Sequence, residues 1–356
     1  MNIYFHIPYC KSKCKYCAFY SETLPPPAEY VEYMLQEMKE ILSKTVEPVS
    51  TVYIGGGTPS ALSPQQLRQL VSTIVAECVP EEFSIEVNPA DVTQELLEAL
   101  QGVTRISIGA QSFDDEILQF LGRRHTAADV FRAVEQMKAA GITNFGFDLI
   151  AAIPGYGDGH WQRSLEAAVA LSPTHISIYN LSIEPGTPFF NQGLHPVSDD
   201  EAMEQLALAQ SILNVAGYTR YEISNYALPG YECRHNLAVW YGEDYYGIGA
   251  GAHSRIGQTR IHNLDNWHNW LLAKQAGATV PQAIEQLTEE EDSRERTFTQ
   301  WRLLNEGITI IPQSPEKQAL LKTLLDQAII HELKPNTYAL TTRGTEVADA
   351  VISAFL

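Results

Sequence analysis

Cysteine is scarce in this chain. There are five in 356 residues, and three of them fall within one eight-residue stretch. A secreted scaffold held by disulfides needs more cysteines in a shorter chain, so that class is excluded. Basic residues are also few: 24 Lys and Arg stand against 43 Asp and Glu, a net charge of −19. A broad surface for nucleic acid or anionic lipid needs clustered positive charge, which this composition does not supply. No run approaches the ~18 consecutive apolar residues of a membrane-spanning helix. The opening residues, Met1 to His6, have neither a basic start nor a small-residue cleavage site. They read as a strand rather than a signal peptide, and the expected compartment is the cytoplasm.

Hydrophobic residues make up 45% of the chain, enough for one large α/β domain and a smaller one. Short apolar runs predict strands at Ile3–Ile7, Thr51–Ile54, Phe83–Val87, Arg105–Ile108, Asn144–Ile150 and His175–Asn180. Amphipathic patterns between and after them predict helices near Glu29–Ser43, Gln65–Glu77, Gln94–Leu100, Ala127–Ala140, His160–Leu171 and Glu201–Ala216. Ser63-Pro64 and Asp199 read as helix starts, Gly141 and Gly217 as helix ends. Six βα units imply a parallel sheet, either doubly wound or a partial barrel. Both architectures put ligands at the C-terminal strand ends. The expected division is a barrel over 1–225 and a connecting region over 226–262. That region reads as site-bearing loop across Tyr231–Arg255, which is dense in Gly, Tyr, His and Trp. Residues 263–356 read as a small, mainly helical domain ending in a hairpin-like stretch at Thr337–Leu340.

Cys10, Cys14 and Cys17 follow the first strand with C-x3-C-x2-C spacing. One loop of this kind can hold three corners of a 4Fe–4S cube and leave the fourth iron open. A zinc site with His6 or a distant fourth ligand is the alternative, although zinc cysteines usually come as two separated pairs. Gly55-Gly56-Gly57-Thr58-Pro59 follows the second strand without the Lys-Ser/Thr of a phosphate loop. Its carbonyls could accept from the ammonium of an amino acid, or the segment could be only a tight turn. Glu86, Gln111 and Asp148 stand at or near the ends of the third, fourth and fifth strands. Each alone could cap a helix; together, on the face of the cysteine and glycine loops, they suggest a site. Arg123 could pair with a carboxylate or sit in a solvated link. Cys78 reads as an inert packed thiol.

These residues also carry a resemblance. Tyr4-x-His6-x-Pro8-x-Cys10-x3-Cys14-x2-Cys17, Gly55–Pro59 and Glu86-Val87-Asn88-Pro89 resemble radical S-adenosylmethionine (SAM) proteins, in particular the oxygen-independent coproporphyrinogen oxidase superfamily. The likeness continues through Ser107–Phe113, Leu121-Gly122-Arg123, Ile183–Pro188 and Gly249–Ser254, nearly the whole chain. It implies an α/β fold: a partial (β/α)6 TIM-like barrel with a small helical C-terminal domain. It implies a 4Fe–4S cluster on Cys10, Cys14 and Cys17, with SAM chelating the open iron. Tyr4 and Gly56, Gly57 and Thr58 would hold the methionine part of SAM, and Tyr16 would lie near the adenine. Glu86, Gln111, Arg123 and Asp148 would line the same pocket.

The decarboxylating oxidases of the superfamily carry a further cysteine two residues after the third, and an N-terminal extension. Here Phe19 takes that position and the chain begins at the strand. Both features resemble the haem-chaperone branch, which binds haem as cargo for acceptors such as respiratory cytochromes. That branch has a His-Asn-x-x-Tyr-Trp signature. This chain reads His235-Asn236-Leu237-Ala238-Val239-Trp240, with Val239 in place of Tyr. His235 is therefore the candidate axial haem ligand, and Trp240 a candidate stacking partner. Cys233 is a lesser candidate for haem contact. Three functions remain open: a haem chaperone, a radical enzyme acting on a porphyrin or porphyrinogen, and a radical SAM enzyme of unrelated substrate. The acidic composition makes an RNA substrate the least favoured.

Overall fold

A computed structural model describes residues 1–278, 280–312 and 314–356. The first half alternates strand and helix: β1 (Asn2–Ile7), α1 (Ala28–Leu42), β2 (Thr51–Gly56), α2 (Pro64–Glu77), β3 (Glu82–Val87), α3 (Gln94–Ala99), β4 (Arg105–Gln111), α4 (Asp115–Leu121), α5 (Ala127–Ala139), β5 (Phe145–Ala151), α6 (Asp158–Ala170) and β6 (His175–Asn180). Then come α7 (Pro188–Asn191), α8 (Asp199–Val215), β7 (Thr219–Arg220), β8 (Asn225–Ala227), α9 (Arg234–Trp240), β9 (Tyr245–Ile248), β10 (His253–Ile256), β11 (Thr259–Asn263), α10 (Trp267–Gln275), β12 (Pro281–Gln286) and α11 (Glu289–Gln300). The chain closes with β13 (Ile308–Thr309), α12 (Pro315–Asp326), β14 (Ile330–Lys334), β15 (Thr337–Leu340), α13 (Thr342–Glu346) and α14 (Ala348–Phe355).

Strands β1 to β6 lie side by side in chain order and all parallel. A doubly wound sheet would reverse its order at a switch point; this one does not, so the partial barrel is the fold. The helix starts follow local chemistry. Ser63 and Gln66 form a capping box before Pro64, and Thr126 with Asp129 forms another at α5. Helix α8 is capped by Ser198, one residue earlier than expected.

The strands alternate strictly. Ile3, Phe5, Val52, Ile54, Phe83, Ile85, Ile106, Ile108, Phe147 and Ile176 face outward into a core shared with the helices. The intervening positions face inward and are polar: Asn2, Tyr4, Thr51, Tyr53, Glu82, Ser84, Glu86, Arg105, Ser107, Asp148 and Ser177. Parallel strands covered on both faces by apolar layers read as continuous hydrophobic runs. A polar inner face means that the barrel interior is lined with hydrogen-bonding groups instead of packed with hydrocarbon.

Three parts differ from the sequence expectation. Helix α4 was not foreseen. The Tyr231–Arg255 stretch is not loop: α9 closes one end of the barrel, and β9 pairs parallel with β1 to extend the sheet through β10, β11 and β12. The cores also divide the chain later than residue 263. Trp270, Leu271 and Val280 pack with the barrel helices, and a second core gathers around Trp301, Leu321, Ile330, Val351 and Phe355. That C-terminal unit is mainly helical but carries a three-stranded sheet, β13-β15-β14, whose middle strand is the expected Thr337–Leu340.

Candidate functional site

The cysteine loop leaves the C-terminal end of β1 and is tied down on several sides. Cys10 N–H donates to Glu22 O, Glu22 N–H to Pro8 O, and Lys15 N–H to Leu121 O. Phe189 N–H, in α7, donates to Lys15 O at 3.0 Å. The thiols of Cys10, Cys14 and Cys17 are free and half-buried. Burial pushes the Cys17 thiol pKa up, and Cys14 and Cys10 add to the rise.

The glycine loop after β2 lies against this loop. Gly57 N–H donates to Ile7 O and Thr58 N–H to Tyr9 O, each at 2.8 Å. A Cβ on Gly57 would stand 2.7 Å from Tyr9 O and 3.0 Å from Cys10 Sγ, so only glycine allows the two loops to meet. Thr58 Oγ1 is 3.4 Å from Cys10 Sγ.

At the end of β4, Arg123 reaches back across the mouth. It donates from one Nη to Cys14 Sγ at 3.3 Å and from the other to Gly109 O at 2.7 Å. The absence of a Cβ on Gly109 makes room for both Arg123 and the Gln111 amide. Gln111 holds φ at 65°, a left-handed conformation costly for a side-chain-bearing residue and concentrated at functional sites. Tyr16 sits beside Arg123 and Cys14.

Below the mouth, Tyr4, Tyr53, Glu86 and Asp148 are half-buried along the inner wall. Tyr53 O–H donates to Glu86 Oε1 at 2.8 Å, and Ser107 O–H is shared by the two Asp148 oxygens at 3.2 and 3.3 Å. Burial, with the neighbouring Asp148, raises the Glu86 carboxyl pKa to about 7. Burial also raises Asp148, against the hydrogen bonds from Ser177 and Ser107. Tyr179 keeps 45% of its surface accessible although burial lifts its phenol pKa. These groups line a hollow open to solvent.

The structure thus brings Cys10, Cys14, Cys17, Tyr16, Gly56, Gly57, Thr58, Gln111 and Arg123 to one mouth, with Tyr4, Glu86 and Asp148 on the wall beneath. Tyr53, Ser107, Ser177 and Tyr179 were missed from sequence. Their signal was the two-residue alternation within the strands, which marks them as inward-facing.

His235 is elsewhere. It lies in the first turn of α9, which plugs the opposite end of the barrel, where β1 to β6 begin. Its Nδ1 is 2.7 Å from Thr51 Oγ1, and its backbone N–H donates to Glu82 Oε1 at 3.1 Å. The Tyr53 and Tyr4 rings lie 5.2 and 6.4 Å from it, and 5% of its surface is accessible. Burial, with the Arg105 charge, lowers its pKa to about 4, so the ring is neutral. The ring is enclosed by Thr51, Tyr53 and Tyr4. The Trp240 ring carries the Arg302 guanidinium at 4.4 Å. Cys233 is a packed thiol, fully buried, its pKa pushed up to about 12 by burial, and donates to Glu82. Cys78 is half-buried and donates to Ile74 O.

Comparisons with known proteins agree with this architecture. Residues 4–168 match the model of the Radical SAM superfamily. The chain is 34% identical to the haem chaperone HemW of Bacillus subtilis (strain 168), across 100% of this chain and 99% of that one. It is 37% identical to HemW of Escherichia coli (strain K12) over 72% of this chain and 70% of that one. Among solved structures, coproporphyrinogen III oxidase (HemN) from Escherichia coli, described as a radical SAM enzyme, superposes with a TM-score of 0.83 at 20% identity, covering 99% of this chain and 89% of that one. The last likeness establishes the shared fold; the curated relatives establish the family, and this chain belongs to the HemW family of radical SAM proteins.

Proposed function

We propose that this protein is a haem chaperone that carries a 4Fe–4S cluster and SAM and delivers haem to acceptor proteins. The observation that carries the reading is the similarity to HemW over the full length of both chains. Respiratory cytochromes are the acceptors the reading favours, served from the cytoplasm. No helix among the described residues is long and apolar enough to cross a membrane.

Cys10, Cys14 and Cys17 are the cluster ligands in this reading. The fit rests on three free thiols on one pinned loop. The Arg123 guanidinium donates to Cys14 Sγ and sets a positive charge beside the loop. Bound cluster and SAM supply one-electron chemistry; the chain's residues position and shield them. Tyr4 and the Gly56–Thr58 loop hold the methionine part of SAM and Tyr16 flanks the adenine. Glu86, Gln111, Arg123 and Asp148 complete the pocket, with Tyr53 and Ser107 fixing the two carboxylates.

Radical oxidation of a porphyrinogen is the second reading, favoured by the fold shared with coproporphyrinogen III oxidase. Phe19 stands against it, 72% exposed at the position where such oxidases carry a further cysteine. Anaerobically reconstituted protein, titrated with haem and then assayed with coproporphyrinogen, SAM and a reductant, separates the two. Saturable haem binding without decarboxylation is expected. Multiple turnovers to protoporphyrinogen would overturn the chaperone reading.

A further inference from the structure

The cysteine loop is a basic spot in an acidic chain. Residues 8–24 hold three lysines and one acidic residue, Glu22, whereas the whole chain carries a net charge of −19. Lys11 follows Cys10, and Lys13 and Lys15 flank Cys14. Little of this charge is neutralised within the protein. Lys11 and Arg124 share one carboxylate, the buried Asp91, which leaves the trio positive. Lys13 Nζ donates to a backbone oxygen, Phe19 O, at 3.3 Å. No carboxylate among the described residues pairs with the Lys13 or Lys15 ammonium. Lys15 is half-buried and fixed in place. Its N–H donates to Leu121 O, and its stem packs on Gly122, where a Cβ would stand 3.0 Å from Lys15 Cγ.

The loop therefore has two faces. Its thiols turn inward, Cys10 Sγ towards Thr58 and Cys14 Sγ towards Arg123. Lys11, Lys13 and Phe19 are exposed on the other side, and so is Leu24 further along. The bond from Lys13 to Phe19 O holds the ammonium and the ring in one patch. An aromatic side chain within a charged rim is the anatomy of a docking surface for another protein. Anionic lipid suits the patch less well. A bilayer would face the acidic surface around it as well, and three lysines contribute only about 1 kcal/mol each at a membrane. A small acidic protein meets the patch alone.

Anything docked here lies against the backbone of the loop that carries all three cysteines. That position favours a partner that passes electrons, because electron transfer weakens steeply with distance. We infer that this face docks a small acidic electron-carrier protein, whose carboxylates meet Lys11, Lys13, Lys15 and Arg124 around Phe19. The carrier loses one electron and the oxidised cluster gains it; no bond forms or breaks. Electron-transfer encounters are small and governed by charge, which fits a patch of four cations and one ring. The inference rests on the assignment of a cluster to Cys10, Cys14 and Cys17.

The test uses iron-reconstituted protein with an acidic flavodoxin as the probe. Calorimetry measures binding of the oxidised carrier, and stopped-flow absorbance measures electron transfer from the reduced one, both over a range of salt. Affinity should fall as salt rises, since the reach of exposed charges shrinks to about 8 Å at 0.15 M. A variant carrying both Lys13→Glu and Lys15→Glu should bind the carrier roughly tenfold more weakly at low salt and lose most of the salt dependence. Its iron content and its rate of reduction by dithionite should equal the parent's. Lys44→Glu, at an exposed lysine beyond the end of α1, should behave as the parent. Equal affinity of parent and double variant for the carrier overturns the dock and leaves the cluster assignment intact. So does parent protein that binds phosphatidylserine vesicles but not the carrier. A double variant that loses iron assigns the lysines to cluster assembly and overturns the dock as well. A parent protein that takes up no iron overturns the cluster assignment itself.

Discussion

The two ends of the barrel use the same kinds of side chain for opposite purposes. At the mouth, Cys10, Cys14, Cys17, Tyr4, Arg123 and Glu86 are half-buried and face a hollow. At the floor, Cys233, His235, Arg105, Glu82 and Tyr221 are buried and face one another. Burial alone disfavours charge on Arg105, but Cys233, Tyr53, Glu82 and Tyr221 around it hold its pKa above the ordinary value. The Glu82 carboxylate accepts from the backbone N–H groups of Arg234 and His235 and from the Cys233 thiol, and so anchors the start of α9. Chemistry-bearing residue types at the floor hold a plug in place; at the mouth they are left free to bind. Partnering, more than identity, separates a site from a scaffold.

The sharpest break of this contrast is a pair of cysteine variants. Cys14→Ala should abolish most of the iron that reconstitution inserts, because a loop with two thiols cannot keep a cube. Cys233→Ala should retain the parent iron content. Equal iron in the two variants would erase the distinction between mouth and floor. The next effect is on stability. Glu82→Ala leaves three donors of a buried helix start without an acceptor and should cost about 3 kcal/mol in urea unfolding. Glu86→Ala, on the accessible wall, should cost clearly less, and a reversed order would mean that the hollow is packed. Smaller still, Thr51→Val removes the hydroxyl between His235 and Asn2. It should lower stability by about 1–2 kcal/mol. An unchanged urea midpoint would mean that the hydrogen bonds joining Asn2, Thr51 and His235 do not hold the plug in place.

Much of the barrel was legible in sequence because local signals and tertiary demand coincide there. Each strand from β1 to β6 is short, apolar on alternate positions and followed by an amphipathic helix with its own caps. The mouth was legible because cysteine spacing and glycine loops are local patterns that the fold merely folds together. His235 is harder to read for the converse reason. Its motif is local, but its meaning depends on Thr51 and Glu82, 184 and 153 residues away in the chain. Helix α4 hid between two loops because its seven residues are too few to show a period. Strands β9 and β10 were hidden because Gly, Tyr and His in Tyr231–Arg255 look like loop until β1 supplies the pairing edge. The inner polar row was in plain view as alternation, but its reading requires knowing that the sheet encloses a hollow.

The subtlest test of the contrast is a proton count at the mouth. Glu86 titrates near 7 in the folded protein, against an ordinary value of 4.5. Between those two values the folded state holds a proton that the unfolded state has lost. Stability of the ligand-free protein should therefore fall as pH rises from 4.5 towards 7, and the contribution of Glu86 should level off above that. Glu37, buried behind β9 and also raised to about 7, adds a parallel slope, so the informative quantity is the difference between parent and Glu86→Gln. That difference curve should slope only within this window. SAM sharpens the test, because its sulfonium and ammonium are positive. Seated beside Glu86, they favour the carboxylate, so SAM binding at neutral pH should release protons. Calorimetry in buffers of differing ionisation enthalpy measures that release directly. The parent should show buffer-dependent heats, and Glu86→Gln should show a smaller dependence. Identical buffer dependence in the two proteins would place SAM away from Glu86, and would make the inner wall, like the floor, a scaffold.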